Sequence, residues 1–288
     1  MSTKKAIAIL GTGMMGNAMG LRLLESGHSL TAWNRNLDKT KDLAKAGAKI
    51  ANSPKEACSG AEIVITMLSD AKSTLEVMDN LGAIEQVPKD AIWIQMATVG
   101  SESIYELEDL AKKHQIQFLD CPVSGTVDPA RSGNLVILAS GQSSTIDQAK
   151  PVLQDLGKSV INLGPVGAGS KMKLVLNDWL FAIIAGLSEA IALSKSLGLD
   201  PNLFLEALSG GPLDTPYAHL RGKSMIEDNF PLAFTLEMAA KDVELINQAG
   251  KKAGIRLYLA QMVADLLERA VSSDSQQDLG ALYRQWKK

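Results

Sequence analysis

The sequence contains few cysteines, few histidines and almost no net charge. Two cysteines in 288 residues, Cys58 and Cys121, are too few and too distant for a zinc cluster or a disulfide scaffold. They predict buried, reduced thiols in a cytoplasmic protein. The three histidines share no metal-ligand spacing, so no metal is expected. A net charge of -3 leaves no basic surplus for nucleic acid.

The sequence also lacks a long uninterrupted apolar run. The longest, Trp179 to Ser188, lies between Asp178 and Glu189 and is shorter than the roughly 20 residues that a bilayer requires. We therefore expect a core helix there and no membrane contact. Glycines interrupt the apolar run near the N-terminus, so no signal peptide is predicted. A hydrophobic fraction of 46% over this length indicates a globular protein, and the prior of about 150 residues per domain gives two domains.

The N-terminal half alternates short apolar runs with helical patterns. The predicted strands are residues 6–10, 29–33, 63–67, 92–96, 116–119 and 135–139. The predicted helices between them are residues 14–26, 37–46, 71–80 and 102–114. Strands separated by single helices indicate a parallel, doubly wound α/β sheet.

A glycine motif follows the first strand and opens the first helix. It reads Gly11-Thr12-Gly13-Met14-Met15-Gly16, the GxGxxG pattern of dinucleotide-binding Rossmann domains. Gly11 permits the tight turn, Gly13 permits close approach of a pyrophosphate, and Gly16 permits close packing of helix on strand. A turn that serves packing alone is the alternative. The position between strand and helix favours dinucleotide binding.

The end of the second strand distinguishes the two nicotinamide cofactors. An NAD-binding domain places a carboxylate there for the ribose hydroxyls, whereas this sequence has Trp33-Asn34-Arg35. Asn34 carries no charge to repel a 2′-phosphate, and Arg35 can pair with one. NADP(H) is therefore the expected cofactor. The alternative is that Arg35 is only a solvated surface charge.

Several further segments occur in the order of a known family. They are Met67-Leu68-Ser69, Thr98, Asp120-Cys121-Pro122-Val123-Ser124-Gly125, the glycine-rich run at residues 164–169, Lys173, Asn177 and Lys241-Asp242. With the glycine motif, they make the sequence similar to the β-hydroxyacid dehydrogenases over nearly its whole length. That family includes 3-hydroxyisobutyrate dehydrogenases, tartronate semialdehyde reductases, and glyoxylate or succinic semialdehyde reductases.

The resemblance implies two domains joined by a long helix. Residues 1–163 would form a Rossmann-type domain like the NADP-binding domain of 6-phosphogluconate dehydrogenase, and residues 164–288 an all-helical substrate and dimerisation domain. The sequence pattern agrees, because strand-like alternation disappears after the long apolar segment at residues 170–197. Further helical patterns cover residues 201–208, 232–253 and 258–271. A homodimer or homotetramer is expected.

The resemblance also assigns the site residues. Lys173 would be the general acid or base, and Asn177, one helical turn later, would orient Lys173 or the substrate. Lys171, two residues earlier, would point elsewhere. Substrate would also contact Ser124, Gly125 and Thr126, where Thr126 replaces the family's usual second glycine. Cofactor contacts are expected from Gly11, Thr12, Gly13, Met14, Met15, Gly16, Asn34, Arg35, Met67, Leu68, Thr98 and Lys241.

Each assignment has a purely structural alternative. Lys173 and Lys241 could be surface lysines, and Ser124-Gly125 could be a simple turn. Met67 and Leu68 could serve strand-end packing.

The predicted activity is NADPH-dependent reduction of a small aldehyde acid, such as glyoxylate or succinic semialdehyde, or the reverse oxidation of a 3-hydroxy acid. A 3-hydroxyisobutyrate or tartronate semialdehyde-type dehydrogenase would use the same residues. An imine reductase and a non-catalytic NADP-binding protein are more distant alternatives. The presence of Lys173 argues against both of these.

Overall fold

The computed structural model describes residues 4–286, and their contacts divide the chain into two compact units, Met1–Lys173 and Leu174–Lys288. The first unit is α/β and the second is helical, as the sequence predicts. The long helix α8 (Ala168–Ser196) joins them. The division expected after residue 163 lies before this helix, whereas the contacts divide the chain inside it.

Nine strands of the first unit form one sheet in the order β3-β2-β1-β4-β5-β6-β8-β7, with β9 beside β8, within residues 4–286. The six strands from β3 to β6 are mutually parallel. The strands are β1 (Ala6–Leu10), β2 (Ser29–Trp33), β3 (Lys49–Ile50), β4 (Ile63–Thr66), β5 (Ile92–Gln95), β6 (Gln117–Asp120), β7 (Val123–Ser124), β8 (Leu135–Gly141) and β9 (Gly157–Asn162).

Both faces of the sheet are buried at its centre, which explains why strand β1 is continuously apolar rather than alternating. Successive side chains of β1 enter opposite cores: Ile7 and Ile9 pack into one cluster, and Ala8 and Leu10 pack into the other. All four are at most 2% exposed. The helices that cover the faces are α1 (Met14–Glu25), α2 (Lys41–Lys45), α3 (Pro54–Cys58), α4 (Ala71–Leu75), α5 (Ser103–Lys113), α6 (Val127–Arg131) and α7 (Ser143–Leu156).

The sheet departs from the sequence prediction at its far edge. Strand β8 runs antiparallel to β6 and β7, so the sheet is not parallel throughout. The two-residue strands β3 and β7 were too short to produce a periodic signal, and β9 is half polar. The predicted helix at residues 37–46 is a 3-10 turn, Leu37–Thr40, followed by α2, and the predicted helix at 71–80 is α4 followed by a π-helical turn, Glu76–Asn80.

The second unit is built from the larger part of α8 and four further helices. These are α9 (Pro201–Leu208), α10 (Pro216–Glu227), α11 (Leu236–Lys252) and α12 (Tyr258–Asp274), followed by a 3-10 segment, Leu279–Trp286. Thr215 and Thr235 begin α10 and α11 by accepting backbone N–H bonds through their hydroxyls. The sequence pattern did not predict α10, whose apolar and polar residues are poorly segregated.

Helix α8 is long enough and apolar enough in composition to cross a bilayer, alone among the helices in the described part of the chain. The uninterrupted apolar stretch at residues 179–188 thus underestimates the length of the apolar helix, which covers 29 residues. Its apolar side chains nevertheless contribute to the core of the second unit. Phe181, Ile184 and Ile191 are at most 1% exposed and pack in one cluster with α11 and α12.

Candidate functional site

The glycine motif occupies the turn between β1 and α1, beside the ends of β2 and β4. The Gly11 N–H donates to the Trp33 carbonyl at 2.9 Å, and the Met67 N–H donates to the Leu10 carbonyl at 2.9 Å. A Cβ atom on Gly11 would lie 2.4 Å from the Met67 carbonyl oxygen, and one on Gly16 would lie 1.9 Å from the Gly11 carbonyl oxygen. These two positions therefore require glycine for backbone packing.

Gly13 has a different environment. A Cβ atom there would meet nothing within 4 Å, and its φ of -64° is accessible to any residue. Gly13 is the N-cap of α1, which has no side-chain cap and no acidic residue in its first turn. The first N–H groups of a helix attract anions.

The buried Thr12 hydroxyl beside Gly13 has no hydrogen-bond partner. Open space, an uncapped helix terminus and an unpaired hydroxyl fit the pyrophosphate of a dinucleotide. Met14 is exposed and Met15 is half-buried at the same turn.

The Asn34 amide supports the glycine turn. Its Oδ1 accepts from the Thr12 N–H at 3.1 Å, and its Nδ2 donates to the Asn36 carbonyl at 2.9 Å. No carboxylate therefore stands at the end of β2, as the sequence indicates. Arg35 is exposed immediately beyond it.

Met67, Leu68 and Thr98 follow the ends of the neighbouring strands β4 and β5. This is the edge at which α/β sheets bind ligands. Met67 and Leu68 are half-buried and pack against the hydrophobic core, so part of their role is structural. Thr98 is half-buried on the loop after β5.

The predicted substrate loop lies at the end of β7. Ser124 is half-buried and pairs with Val136 of β8, while Gly125 is exposed. Gly125 has φ of +131°, and a Cβ atom there would lie 2.8 Å from Leu135. Thr126 begins α6 without using its side chain as a cap. The loop therefore presents two hydroxyls next to a backbone conformation that favours glycine.

Lys173 is half-buried in the second turn of α8. Lys171, by contrast, is exposed, and its Nζ donates to the Tyr105 hydroxyl at 3.1 Å. The two lysines therefore have different environments.

Asp120 anchors the start of α8 and is fully buried. Its carboxylate accepts hydrogen bonds from the N–H groups of Gly167 and Ser170 and from the hydroxyls of Ser140 and Ser170. Burial raises the pKa of the Asp120 carboxyl above its ordinary value, and the bonds from Ser170, Ser140 and Gly167 oppose that change. Asp120 is part of a motif that resembles the family, but the motif alone assigns no role to this residue. The available signal was a carboxylate at the end of a buried strand.

In the second unit, Asn177 and Lys241 both contact Asp242. The Asn177 Nδ2 donates to the Asp242 carboxylate at 2.7 Å, and the Lys241 Nζ lies 2.9 Å from the other oxygen. Asn177 and Asp242 are each 3% exposed, and the Lys241 side chain is 23% exposed. Lys241 is thus held by a buried carboxylate and is not a freely solvated charge. Asp242 is a second residue to which sequence reasoning gave no role.

No group of three or more metal-ligating side chains occurs among residues 4–286.

The family model for the NAD binding domain of 6-phosphogluconate dehydrogenase matches residues 6–164. The model of the NAD-binding region of NADP-dependent 3-hydroxyisobutyrate dehydrogenase matches residues 167–286. Fold, glycine turn and family models together define an NAD(P)-dependent oxidoreductase.

Two relatives from Arabidopsis thaliana indicate which kind of oxidoreductase this chain is similar to. Glyoxylate/succinic semialdehyde reductase 1 is 33% identical over 92% of this chain and 92% of its own length. The chloroplastic glyoxylate/succinic semialdehyde reductase 2 is 36% identical over 83% of this chain and 67% of its own length. The solved structure of Mycobacterium tuberculosis 3-hydroxyisobutyrate dehydrogenase with L-serine superposes with a TM-score of 0.90 at 25% identity, covering 99% of this chain and 100% of that one. This chain belongs to the β-hydroxyacid dehydrogenase family, which confirms the resemblance seen in its motifs.

Proposed function

We propose that this protein is an NADPH-dependent reductase of small aldehyde acids, with glyoxylate and succinic semialdehyde as the first candidate substrates. The names of the two Arabidopsis thaliana relatives support this substrate class. The observation that carries the proposal is the half-buried Lys173 on a predominantly apolar helix, in a chain with a glycine turn suited to a dinucleotide.

The cofactor preference rests on the end of β2. An amide at Asn34 and a guanidinium at Arg35 favour a ligand with a 2′-phosphate over one with a free 2′-hydroxyl. The uncapped start of α1 and the Thr12 hydroxyl would hold the pyrophosphate. Bound NADPH supplies the hydride that reduces the aldehyde carbon.

The chain's own residues would bind the acid and provide the proton. The Ser124 and Thr126 hydroxyls and the Gly125 backbone would hold the substrate carboxylate. As the carbonyl carbon accepts hydride, negative charge develops on its oxygen, which the Lys173 ammonium would stabilise and protonate. The product is the corresponding hydroxy acid.

Asn177 and Lys241 would bind polar groups of the substrate or cofactor. Their shared partner Asp242 holds the Asn177 amide nitrogen, which leaves the amide oxygen as the acceptor that this side chain can offer.

Oxidation of a 3-hydroxy acid is the second candidate function. The match of residues 167–286 to the 3-hydroxyisobutyrate dehydrogenase model favours it. The same residues would act in reverse, with the neutral Lys173 amine removing the hydroxyl proton. Assays with NADP⁺ and 3-hydroxyisobutyrate would therefore accompany the reductive assays.

The test measures NADPH consumption with glyoxylate, succinic semialdehyde, tartronate semialdehyde and methylmalonate semialdehyde. Lys173→Ala should lower kcat by about 100-fold or more, the usual size of a lost acid–base group. Lys171→Ala, which removes an exposed lysine two residues earlier on the same helix, is the matched control and should retain activity. Equal activity of both variants would refute the role of Lys173, and wild-type protein inactive on every substrate in both directions would refute the function.

A cytoplasmic location and a homodimeric or homotetrameric state belong to the same proposal. The free, buried Cys58 and Cys121 support a reducing compartment. Exposed apolar side chains of the second unit, such as Trp179, Leu197 and Leu213, support self-association. A monomeric mass in solution would contradict the oligomer.

A further inference from the structure

The buried carboxylate of Asp120 supplies the N-terminal cap of α8 from a strand distant in sequence. The Ser170 N–H and hydroxyl donate to it at 2.9 and 2.8 Å, and the Gly167 N–H donates at 3.1 Å. The first N–H groups of a helix have no partner within the helix, and a carboxylate is the favoured one. The first turn of α8 itself contains no acidic residue. Asp120 therefore satisfies donors that the helix cannot satisfy alone.

A second hydroxyl completes this cap. The Ser140 hydroxyl lies 3.0 Å from the Asp120 carboxylate and accepts from the Gly169 N–H at 3.0 Å. Three backbone N–H groups at the start of α8 thus donate to the Asp120 carboxylate or to the Ser140 hydroxyl. The four hydrogen bonds to the Asp120 carboxylate come from backbone N–H groups and serine hydroxyls.

The backbone at this point is closely packed. A Cβ atom on Gly169 would lie 2.4 Å from the Leu138 carbonyl oxygen and 2.8 Å from the Asp120 carbonyl oxygen. Gly167 has φ of +91°, a conformation that favours glycine. These contacts bring the start of α8 directly against β6 and β8. The close approach fixes the first turn of the helix, residues 168–171, against these two strands.

The two chain segments that meet at Asp120 both lead to proposed site residues. Strand β6 ends at Asp120, and the chain then leads to the loop of Ser124 and Gly125, four and five residues later. Helix α8 continues from Ser170 to Lys173 within one turn. One side chain therefore connects the loop assigned to the substrate carboxylate with the helical turn that bears the proposed proton donor.

We propose that Asp120 is a positioning residue that fixes the Lys173 turn of α8 relative to the Ser124-Gly125 loop. This inference rests on the proposed function for its catalytic consequence. An aldehyde acid held by its carboxylate can place its carbonyl only within the reach of its own carbon chain, so the ammonium must lie within that reach of the loop. A displacement of about 1 Å can cost about 100-fold in rate.

The first test is Asp120→Asn, which retains the size of the side chain but replaces one acceptor oxygen with a donor group. We expect kcat for the aldehyde acid to fall about 10- to 100-fold. The Kd for NADPH should stay within about twofold of wild type, since the glycine turn lies elsewhere on the sheet. Amide hydrogen exchange at residues 168–173 should be faster, while exchange in β1 and β4 should be unchanged.

Ser170→Ala provides a milder version for the case in which Asp120→Asn does not fold. It removes one donor to Asp120 and retains the backbone N–H. Ser188→Ala is the matched control, because Ser188 is also a buried serine of α8, and its hydroxyl donates to the sulfur of Met225 at 3.7 Å. Ser170→Ala should lower kcat and accelerate exchange at residues 168–173, and Ser188→Ala should do neither.

Three results would overturn the positioning role. The first is unchanged exchange at the start of α8 in the Asp120 and Ser170 variants. The second is faster exchange with unchanged kcat. The third is a loss of NADPH affinity as large as the loss of kcat. Failure of the proposed function is recognised separately, because wild-type protein would then turn over none of the substrates while the exchange measurement would still report on the cap.

Discussion

Replacing Gly13 with alanine should weaken cofactor binding and leave the stability of the fold nearly unchanged. In the free protein the new methyl group meets nothing within 4 Å, and the backbone at Gly13 has φ of -64° and ψ of -171°. Alanine reduces the entropy of the unfolded chain, which stabilises by about 0.4–1 kcal/mol. Alanine is also a poorer N-cap than glycine, which offsets this gain. We therefore expect the free energy of unfolding to change by less than about 1 kcal/mol.

The same methyl group should interfere with nucleotide binding. It stands at the uncapped start of α1, where the pyrophosphate would accept backbone N–H bonds. A hydrogen bond to a charged group is worth about 1.5–3 kcal/mol. Loss of one such bond raises Kd about 10- to 100-fold, since 1.4 kcal/mol corresponds to a factor of 10. Titration of NADPH into wild type and Gly13→Ala, followed by fluorescence or calorimetry, measures this change directly.

Gly16→Ala is the contrasting variant. Its methyl carbon would lie 1.9 Å from the Gly11 carbonyl oxygen, so the turn or the helix must move. This variant should lose stability even without nucleotide, by about 1–3 kcal/mol or more. An unchanged NADPH affinity in Gly13→Ala, with the fold intact, would refute the assignment of the glycine turn to the pyrophosphate.

Three further predictions concern other parts of the chain. Arg35→Ala should raise KM for NADPH far more than KM for NADH, with Lys45→Ala as an exposed control; equal effects would remove Arg35 from the cofactor site. Asp278→Ala should cost about 3–5 kcal/mol in urea denaturation, because it leaves the buried Arg221 guanidinium without its carboxylate partner at 2.8 Å. A loss below about 1 kcal/mol would show that this buried pair is dispensable. Burial raises the pKa of the Cys58 thiol to about 12. Since folding favours the neutral thiol, this residue's contribution to stability should decrease above about pH 8.5, the pKa of an exposed thiol. Native protein at about pH 8 should resist iodoacetamide until it is unfolded, and rapid native-state alkylation of Cys58 would contradict its burial.

The sequence predicted the dinucleotide-binding half of the fold because its signals are local. A short apolar strand, a glycine turn and an amphipathic helix follow one another within twenty or so residues, and each glycine has a geometric reason that can be read from spacing. The same holds for α8, α9, α11 and α12, where apolar periodicity persists, but not for α10, whose apolar and polar residues are poorly segregated. The antiparallel β8 was not predictable in this way, because strand direction depends on which partner a strand finds.

The same distinction between local signals and distant contacts applies to the site residues. Gly11 and Gly13 stand out in the sequence, since a glycine motif is visible without a partner, and Lys173 is assigned through the resemblance to the family. Asp120 and Asp242 do not, because an isolated carboxylate gives no indication of what it will hold. Their importance arises from donors 50 and 65 residues away, on Ser170 and Asn177.

The amino-acid sequence by itself determined the class of fold, the family, and the position of the nucleotide turn, because these follow from short-range periodicity and from motifs in a fixed order. Only the tertiary structure decided which buried carboxylates hold the start of α8 and the Asn177 amide, that Lys173 is half-buried while Lys171 faces solvent, and that the last strands of the sheet reverse direction. Those features depend on desolvation and on hydrogen bonds between distant segments, and these interactions exist only after the chain has folded.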